Sequence, residues 1–208
     1  RQEVKKAVVV GAGFIGLEMA ENLHELGIQV TVVEMADQVM TPVDFEIAAV
    51  VHQQFKDRKV GLLLQEAVAA FCKTENGLQV ELKSGKTLQA DLVILSIGVR
   101  PDNRLAKEAG LKIGETGGIW VNEYLQTSHP DIYAVGDANG KAMLAHTAYR
   151  EAEVAVNNIL GKRDRMRYQA IPSVLYTVPE LSSVGETEES AKAKGYDVKV
   201  VKLPMSYS

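Results

Sequence analysis

The sequence contains a single cysteine, Cys72, so no disulfide can form within the chain. It carries no surplus of positive charge. Its 23 Lys and Arg stand against 27 Asp and Glu, for a net charge of −4, so no general affinity for nucleic acid or an anionic membrane is implied. No apolar run reaches bilayer-spanning length, and no secretory signal opens the chain. Together these features suit a reducing cytosol. His52 has no second ligand type within a turn of it, so it reads as a surface residue and no metal site is expected. A lead-in is lacking too. Ala7 already reads as core strand, as though a domain had been cut from a longer chain.

What is present is a sizeable apolar fraction, 46% of 208 residues, enough for one large domain or two small ones. The most informative stretch is Lys5–Glu34. An apolar run, Ala7–Val10, ends in Gly11-Ala12-Gly13-Phe14-Ile15-Gly16. A helix-period segment follows, then a β-rich run, Val30–Val33, closed by Glu34. Strand, glycine turn, helix, strand and acid in this order form a dinucleotide-binding pattern. Gly11 allows the tight turn, Gly13 lets a pyrophosphate approach the backbone, and Gly16 lets the helix pack against the strand. The helix start presents free N–H groups to phosphate. Glu34 is placed to accept hydrogen bonds from ribose hydroxyls and to repel a 2′-phosphate. Met35 and Ala36 add no positive charge, so NAD(H) is expected over NADP(H).

The first helix is expected over about 13–26, with Met19 or Ala20, Leu23 and Leu26 as its buried stripe and Glu18 favourably near its start. A second helix follows Asp44, a plausible N-cap, with Ile47, Val50 or Val51, Gln54 and Phe55 at helical spacing. Val60–Leu64 completes a βαβαβ unit. Strands at Ala67–Lys73, Leu78–Leu82 and Thr87–Ala90, joined by turns at Asn76-Gly77 and Ser84-Gly85, form an antiparallel insert. Cys72 on this insert reads as a buried structural thiol. Asp91–Ile97 returns as a buried parallel strand ending in Gly98-Val99-Arg100-Pro101. Ile132–Val135 reads as a strand before Gly136-Asp137. Ala145, Ala148, Ala152, Ala155 or Val156, and Ile159 form a helical stripe. Lys162–Arg167 is the one basic run and reads as a linker between domains. Strands at Ser173–Thr177, Leu181–Gly185 and Val198–Leu203 flank a short helix near Thr187–Lys194.

Four segments in this order resemble the pyridine nucleotide-disulfide oxidoreductases, flavoproteins with two dinucleotide-binding domains. They are GAGFIGLE (Gly11–Glu18), ADLVILSIGVRPDN (Ala90–Asn103), TSHPDIYAVGDA (Thr127–Ala138) and IPSVLYTVPELSSVG (Ile171–Gly185). The resemblance implies an α/β architecture of three parts. Residues 1–113 would be a Rossmann-like NAD(H)-binding domain with an antiparallel insert. Residues 114–165 would close an FAD-binding half, and 166–208 would open a truncated α+β dimerisation domain. It makes Gly11, Gly13, Phe14, Ile15, Gly16, Glu18, Glu34 and Gly98 contacts to the nicotinamide cofactor or its flavin-facing end. Phe14 would gate the nicotinamide pocket. Gly136, Asp137, Met143, Leu144, Ala145 and His146 would contact FAD, with Asp137 on the ribitol.

Residues up to 137 look most like coenzyme A-disulfide reductases and NADH oxidases. Later ones look most like dihydrolipoamide dehydrogenase, as in a chimera or a relative between the two groups. The resemblance implies hydride transfer between NAD(H) and FAD, coupled to a small-molecule disulfide or dithiol, in a homodimer. Cys72 matches none of the family's redox cysteines, and the His-Pro…Glu pair is not found, because Ala134 stands five residues after His129. No catalytic residue is therefore expected in this chain. A stand-alone NADH-binding module, or a dimerisation scaffold binding no nucleotide, are the competing readings.

Overall fold

The computed structural model describes residues 3–75 and 77–203. The chain forms two compact units, Arg1–Gly98 with Val174–Ser208, and Val99–Ser173. In the first unit β1 (Lys6–Val10), α1 (Phe14–Glu25), β2 (Gln29–Val33), α2 (Phe45–Asp57) and β3 (Gly61–Leu63) wind up one side of a parallel sheet. The antiparallel insert follows as β4 (Val68–Thr74), β5 (Gly77–Leu82) and β6 (Thr87–Ala90). The expected turn residue Asn76 lies outside the described residues. β7 (Leu92–Leu95) then returns to the free edge of β1, giving the order β3-β2-β1-β7. Ala7 pairs with Val30 on one side and Leu92 on the other.

The apolar runs of the parallel strands are explained by layers on both faces. Ala7 and Val9 of β1 face a core built with Leu17, Ala20 and Leu23 of α1 and Ala48, Val51 and Phe55 of α2. Val8 faces the other way, onto Val80, Leu82 and Ala90 of the insert. Leu175 and Leu181, from β8 (Pro172–Leu175) and β9 (Leu181–Val184), complete the first core. A further helix, Glu188–Ala193, opens on a capping box between Thr187 and Ser190.

The second unit holds a short helix, α3 (Arg104–Glu108), a 3₁₀ turn at Gly136–Asn139, and α4 (Ala145–Ile159). Its core joins Val121, Leu125 and Ala134 to Val154 and Ala155.

Several expected details change. Leu26 is 77% exposed because α1 has ended before it, and Met19 is exposed while Ala20 is buried. On α2, Ile47 faces outward and Ala48 takes its place in the core, while of the alternatives Val50 and Val51 it is Val51 that is buried. Asp44 stands at the N-cap of α2 as expected, but its carboxylate makes no cap hydrogen bond and accepts the Glu188 N–H at 2.9 Å instead. The expected strand at Ile132–Val135 is reduced to an isolated bridge, Tyr133 to Gln126, because only one residue pairs with it. Residues 198–203 form no strand, having no ladder partner among the described residues. On α4 the buried positions are Thr147, Glu151, Val154 and Ala155, so the alanine stripe is displaced by one that carries an acid.

The contrast on α1 gives a direct test. Leu17→Ala should cost about 3 kcal/mol through transfer and cavity terms. Leu26→Ala should stay within about 0.5 kcal/mol. Urea denaturation of the two variants measures both.

Candidate functional site

The sheet order reverses between β1 and β7, and ligands of open α/β sheets bind in the crevice outside such a point. Here the chain leaves β1 through Gly11, at φ +101, where a Cβ would lie 2.3 Å from the Ser96 carbonyl oxygen beyond β7. A Cβ on Gly16 would lie 1.9 Å from the Gly11 carbonyl oxygen. These glycines thus serve backbone packing. Gly13 is different. Nothing lies within 4 Å of its would-be Cβ, so the space over it is open. Among the described residues no side chain caps α1, which leaves its first-turn N–H groups for an outside acceptor.

Glu34 follows β2 and faces this opening. Its Oε2 accepts the Ala12 N–H at 2.7 Å and its Oε1 accepts the Ala36 N–H at 2.9 Å. The carboxylate is held in place by the backbone of both the glycine turn and the following loop. A cleft of about 510 Å³ brings Gly11, Gly13 and Glu34 together with Ser96 and residues of the insert. Ser96 Oγ is buried and has no hydrogen-bond partner among the described residues.

The other expected contacts in this unit are dispersed. Phe14 is half-buried against the first core, and Ile15 is 56% exposed. Glu18 lies beyond the first turn of α1, and its Oε1 accepts the Tyr176 N–H at 3.0 Å. Gly98, at φ +98, is exposed and stands apart from the cleft lining.

In the second unit the Gly136–Asn139 turn presents Asp137 to solvent; its carbonyl accepts the Gly140 N–H at 3.1 Å, and its carboxylate has no hydrogen-bond partner among the described residues. Gly136 is buried behind it. Met143, Ala145 and His146 are exposed and Leu144 is half-buried at the start of α4, which no side chain caps. A His146 ring nitrogen lies 2.8 Å from the Pro172 carbonyl oxygen. Thr147 Oγ1 is buried without a partner among the described residues. The turn itself is held from below by Glu151, which is fully buried. Its carboxylate accepts the Gly136 N–H at 2.5 Å, the Asn139 amide at 2.9 Å and the Tyr168 hydroxyl at 2.7 Å. Burial and this acid push the Tyr168 phenol well above its ordinary pKa.

The family described as pyridine nucleotide-disulphide oxidoreductase matches residues 1–152, and its dimerisation domain matches residues 171–208. The chain belongs to this family. Members of the pyridine nucleotide-disulphide oxidoreductases are FAD- and NAD(H)-dependent flavoprotein oxidoreductases. A dihydrolipoyl dehydrogenase of Vibrio cholerae is 39% identical over 98% of this chain and 44% of its own length. Among solved structures, a NAD-dependent persulfide reductase from A. fulgidus is 36% identical with a TM-score of 0.85, over 93% of this chain and 38% of its own. Reduced CoADR-RHD of Bacillus anthracis is 42% identical with a TM-score of 0.83, over 93% of this chain and 37% of its own. The chain therefore spans less than half the length of these relatives. Single relatives run through both halves of the chain.

Two acids of this family member escaped the sequence reading. Glu151 sits in a helical stripe that otherwise reads as small and apolar. Glu21, 7% exposed, accepts the Val178 N–H at 3.0 Å and pairs with Arg58 at 3.1 Å. An acid at an apolar-stripe position was the available signal in both. Cys72 is half-buried and donates to Glu81 Oε1 at 3.5 Å, a contact that raises its pKa. His52 is not a bare surface residue. Its Nε2 accepts the Val39 N–H at 3.1 Å, and its ring meets Phe45 edge-on at 6.0 Å. A larger hollow of about 680 Å³ is lined by Arg150, Arg163, Arg165 and Arg167 with Asp164. Its guanidiniums are mostly engaged: Arg150 by Asp164 at 2.8 Å, Arg163 by the Tyr124 hydroxyl, and Arg165 by Glu123.

Gly16→Ala gains about 1 kcal/mol of helix propensity, but the new methyl meets backbone that cannot yield. We expect a net loss of about 2 kcal/mol in thermal or urea unfolding. Gly13→Ala should change stability by no more than about 1 kcal/mol.

Burial lowers the His52 pKa. The unfolded chain then binds a proton first as pH falls below about 6.5. Stability should be level above that pH and decline between pH 6.5 and 5. His52→Gln should flatten the decline in denaturation curves taken across this range.

Proposed function

We propose that the cleft binds the adenosine half of NAD(H), and that the whole protein passes hydride between NAD(H) and FAD in exchange with a small-molecule disulfide or dithiol. Coenzyme A disulfide and dihydrolipoamide are the candidate substrates. The observation that carries this reading is the Glu34 carboxylate. Each oxygen takes one backbone N–H, at 2.7 and 2.9 Å, and keeps acceptor capacity for a ribose hydroxyl. A 2′-phosphate placed against the carboxylate would meet repulsion on the order of 4 kcal/mol per pair of unit charges at about 4 Å near a protein surface. NADPH is thereby disfavoured.

The open face of Gly13 and the uncapped start of α1 suit a pyrophosphate. When bound, the two cofactors supply the hydride chemistry, while the chain supplies position and electrostatics. Asp137 and the uncapped start of α4 suit the hydroxyls and polar edge of a flavin cofactor, and residues 114–165 serve as part of its domain. Residues 1–113 serve NAD(H), with Phe14, Ile15, Glu18 and Gly98 toward the nicotinamide end. Residues 166–208 contribute to a homodimer interface. The Cys72 thiol, raised in pKa by Glu81, is a poor nucleophile, so the disulfide step belongs to residues outside this chain.

Titration calorimetry with NADH and NADPH tests the reading. NADH should bind at least about tenfold more tightly than NADPH, and Glu34→Ala should erase that preference while weakening NADH about tenfold. Gly13→Asp should abolish binding of both. A wild-type chain that binds neither nucleotide would sink the proposal.

A further inference from the structure

The cleft beside Glu34 is rimmed by more large apolar surface than a solvated sheet end needs. Met35 is 71% exposed, Phe71 48%, Leu95 57% and Ile97 73%, and all four line this cleft. Met35, Leu95 and Ile97 belong to the carboxyl ends of β2 and β7, where the parallel sheet opens. Phe71 comes from the insert, and its placement there needs an irregularity.

β4 and β5 are antiparallel, so residues directly opposite share a face. Val68 pairs with Leu82, whereas Ala70 pairs with Glu81 and Phe71 with Val80. One extra residue has been inserted between Val68 and Ala70, a β-bulge. Without it, Val68 and Phe71 would face opposite sides of the insert, because their separation is odd. With it, both stand on the face of Leu82 and Val80, which are buried against the parallel sheet. Bulges recur beside functional sites because they re-aim one side chain. The bulge residues are alanines, Ala69 and Ala70.

Polar side chains contribute little to the same wall. Among the described residues the cleft lining holds no Asn, Gln, Asp, Arg or His, and its charged side chains are Glu34, Glu66 and Lys83. Glu66 Oε1 is engaged by the N–H groups of Ala67 and Ser84. A planar apolar ring, held by its face and not by its edge, is the ligand group that such a wall fits.

We propose that Phe71, turned into the cleft by the β4 bulge, is the platform on which the adenine ring of the dinucleotide stacks. The inference rests on the NAD(H) reading of the cleft and adds its base-recognition element. It makes the antiparallel insert a part of the binding site, beyond its role as a covering layer. It also makes the site tolerant of changes at the purine edge.

The test is calorimetric titration of the wild-type chain, Phe71→Ala, Phe71→Leu and Phe71→Tyr with NADH, with its hypoxanthine analogue, and with reduced nicotinamide mononucleotide, which has no adenosine. Phe71→Ala and Phe71→Leu should each weaken NADH about tenfold, Phe71→Tyr should stay within about twofold, and the hypoxanthine analogue should match NADH within about twofold. Affinity for the mononucleotide should not change with residue 71. Wild-type affinity retained by Phe71→Leu would show that apolar bulk suffices and would overturn the stacking role. So would an unchanged Phe71→Ala. A wild-type chain that binds no NADH overturns the NAD(H) reading itself, an outcome distinct from both.

Discussion

The first unit depends on one close approach of backbone to backbone. Gly11 meets the Ser96 carbonyl, and Gly16 meets the Gly11 carbonyl, at distances that leave no room for a methyl group. Because α1 can sit this low on the sheet, Leu17, Ala20 and Leu23 reach the core of β1 and β2. The same seating lets Glu18 and Glu21 reach the backbone N–H groups of Tyr176 and Val178. It also brings the Ala12 N–H within 2.7 Å of Glu34. A helix displaced outward by the width of a methyl would lose the packing, the tethers and the fixed carboxylate together. The geometry of the cleft follows from the absence of two side chains.

Acids then do the work that apolar packing cannot. Glu21, Glu34 and Glu151 each accept backbone N–H groups from segments distant in sequence or from a tight turn. A carboxylate has acceptor capacity for several donors at once, so one side chain can hold a loop at more than one point. Burying such a charge costs several kcal/mol unless it is fully paired. Glu151 meets that condition with three donors, and Glu21 with a backbone N–H and Arg58. Glu34 is the exception in the set. It stands at the mouth of a cleft with acceptor capacity left over, which separates a binding acid from a clamping one.

The parallel sheet, the insert and the glycine turn were legible in the sequence because each rests on local pattern. Continuous apolar runs mark β1, β2 and β7, alternation marks β5, and the glycines mark a turn between strand and helix. The faces of the helices were less legible. Periodicity favoured Leu26 over Leu17 and the alanines of α4 over Glu151, because it scores apolarity and is blind to an acid satisfied by distant donors. His52 was misread for a similar reason. Its partner, the Val39 N–H, belongs to a loop whose course no spacing rule gives. The tail strands failed differently. A strand exists only if another chain segment accepts its ladder, and the stretch after Gly195 finds none among the described residues. In the site, Gly11, Gly13 and Glu34 converge as their motif implies. The bulge that turns Phe71 toward them is invisible in sequence, because inserting one alanine leaves composition and propensity unchanged.

Size alone would have pointed elsewhere. The arginine-lined hollow of the second unit is larger than the cleft, at about 680 against 510 Å³. Yet its charges are mostly answered by its own neighbours, so an incoming anion would have to displace Asp164 or Glu123 to gain anything. The cleft is incomplete in several independent ways. Among the described residues Ser96 Oγ is buried without a partner, the space over Gly13 is open, no side chain caps α1, and four large apolar side chains stand exposed. Each costs free energy in the empty protein: an unpaired hydroxyl, unpaired N–H groups, and apolar area left in water. A single dinucleotide offers a complement to the last three, with phosphate for the N–H groups and the open glycine, and a purine for the apolar rim. Deficits of different chemistry that one molecule can relieve together are a stronger mark of a binding site than volume.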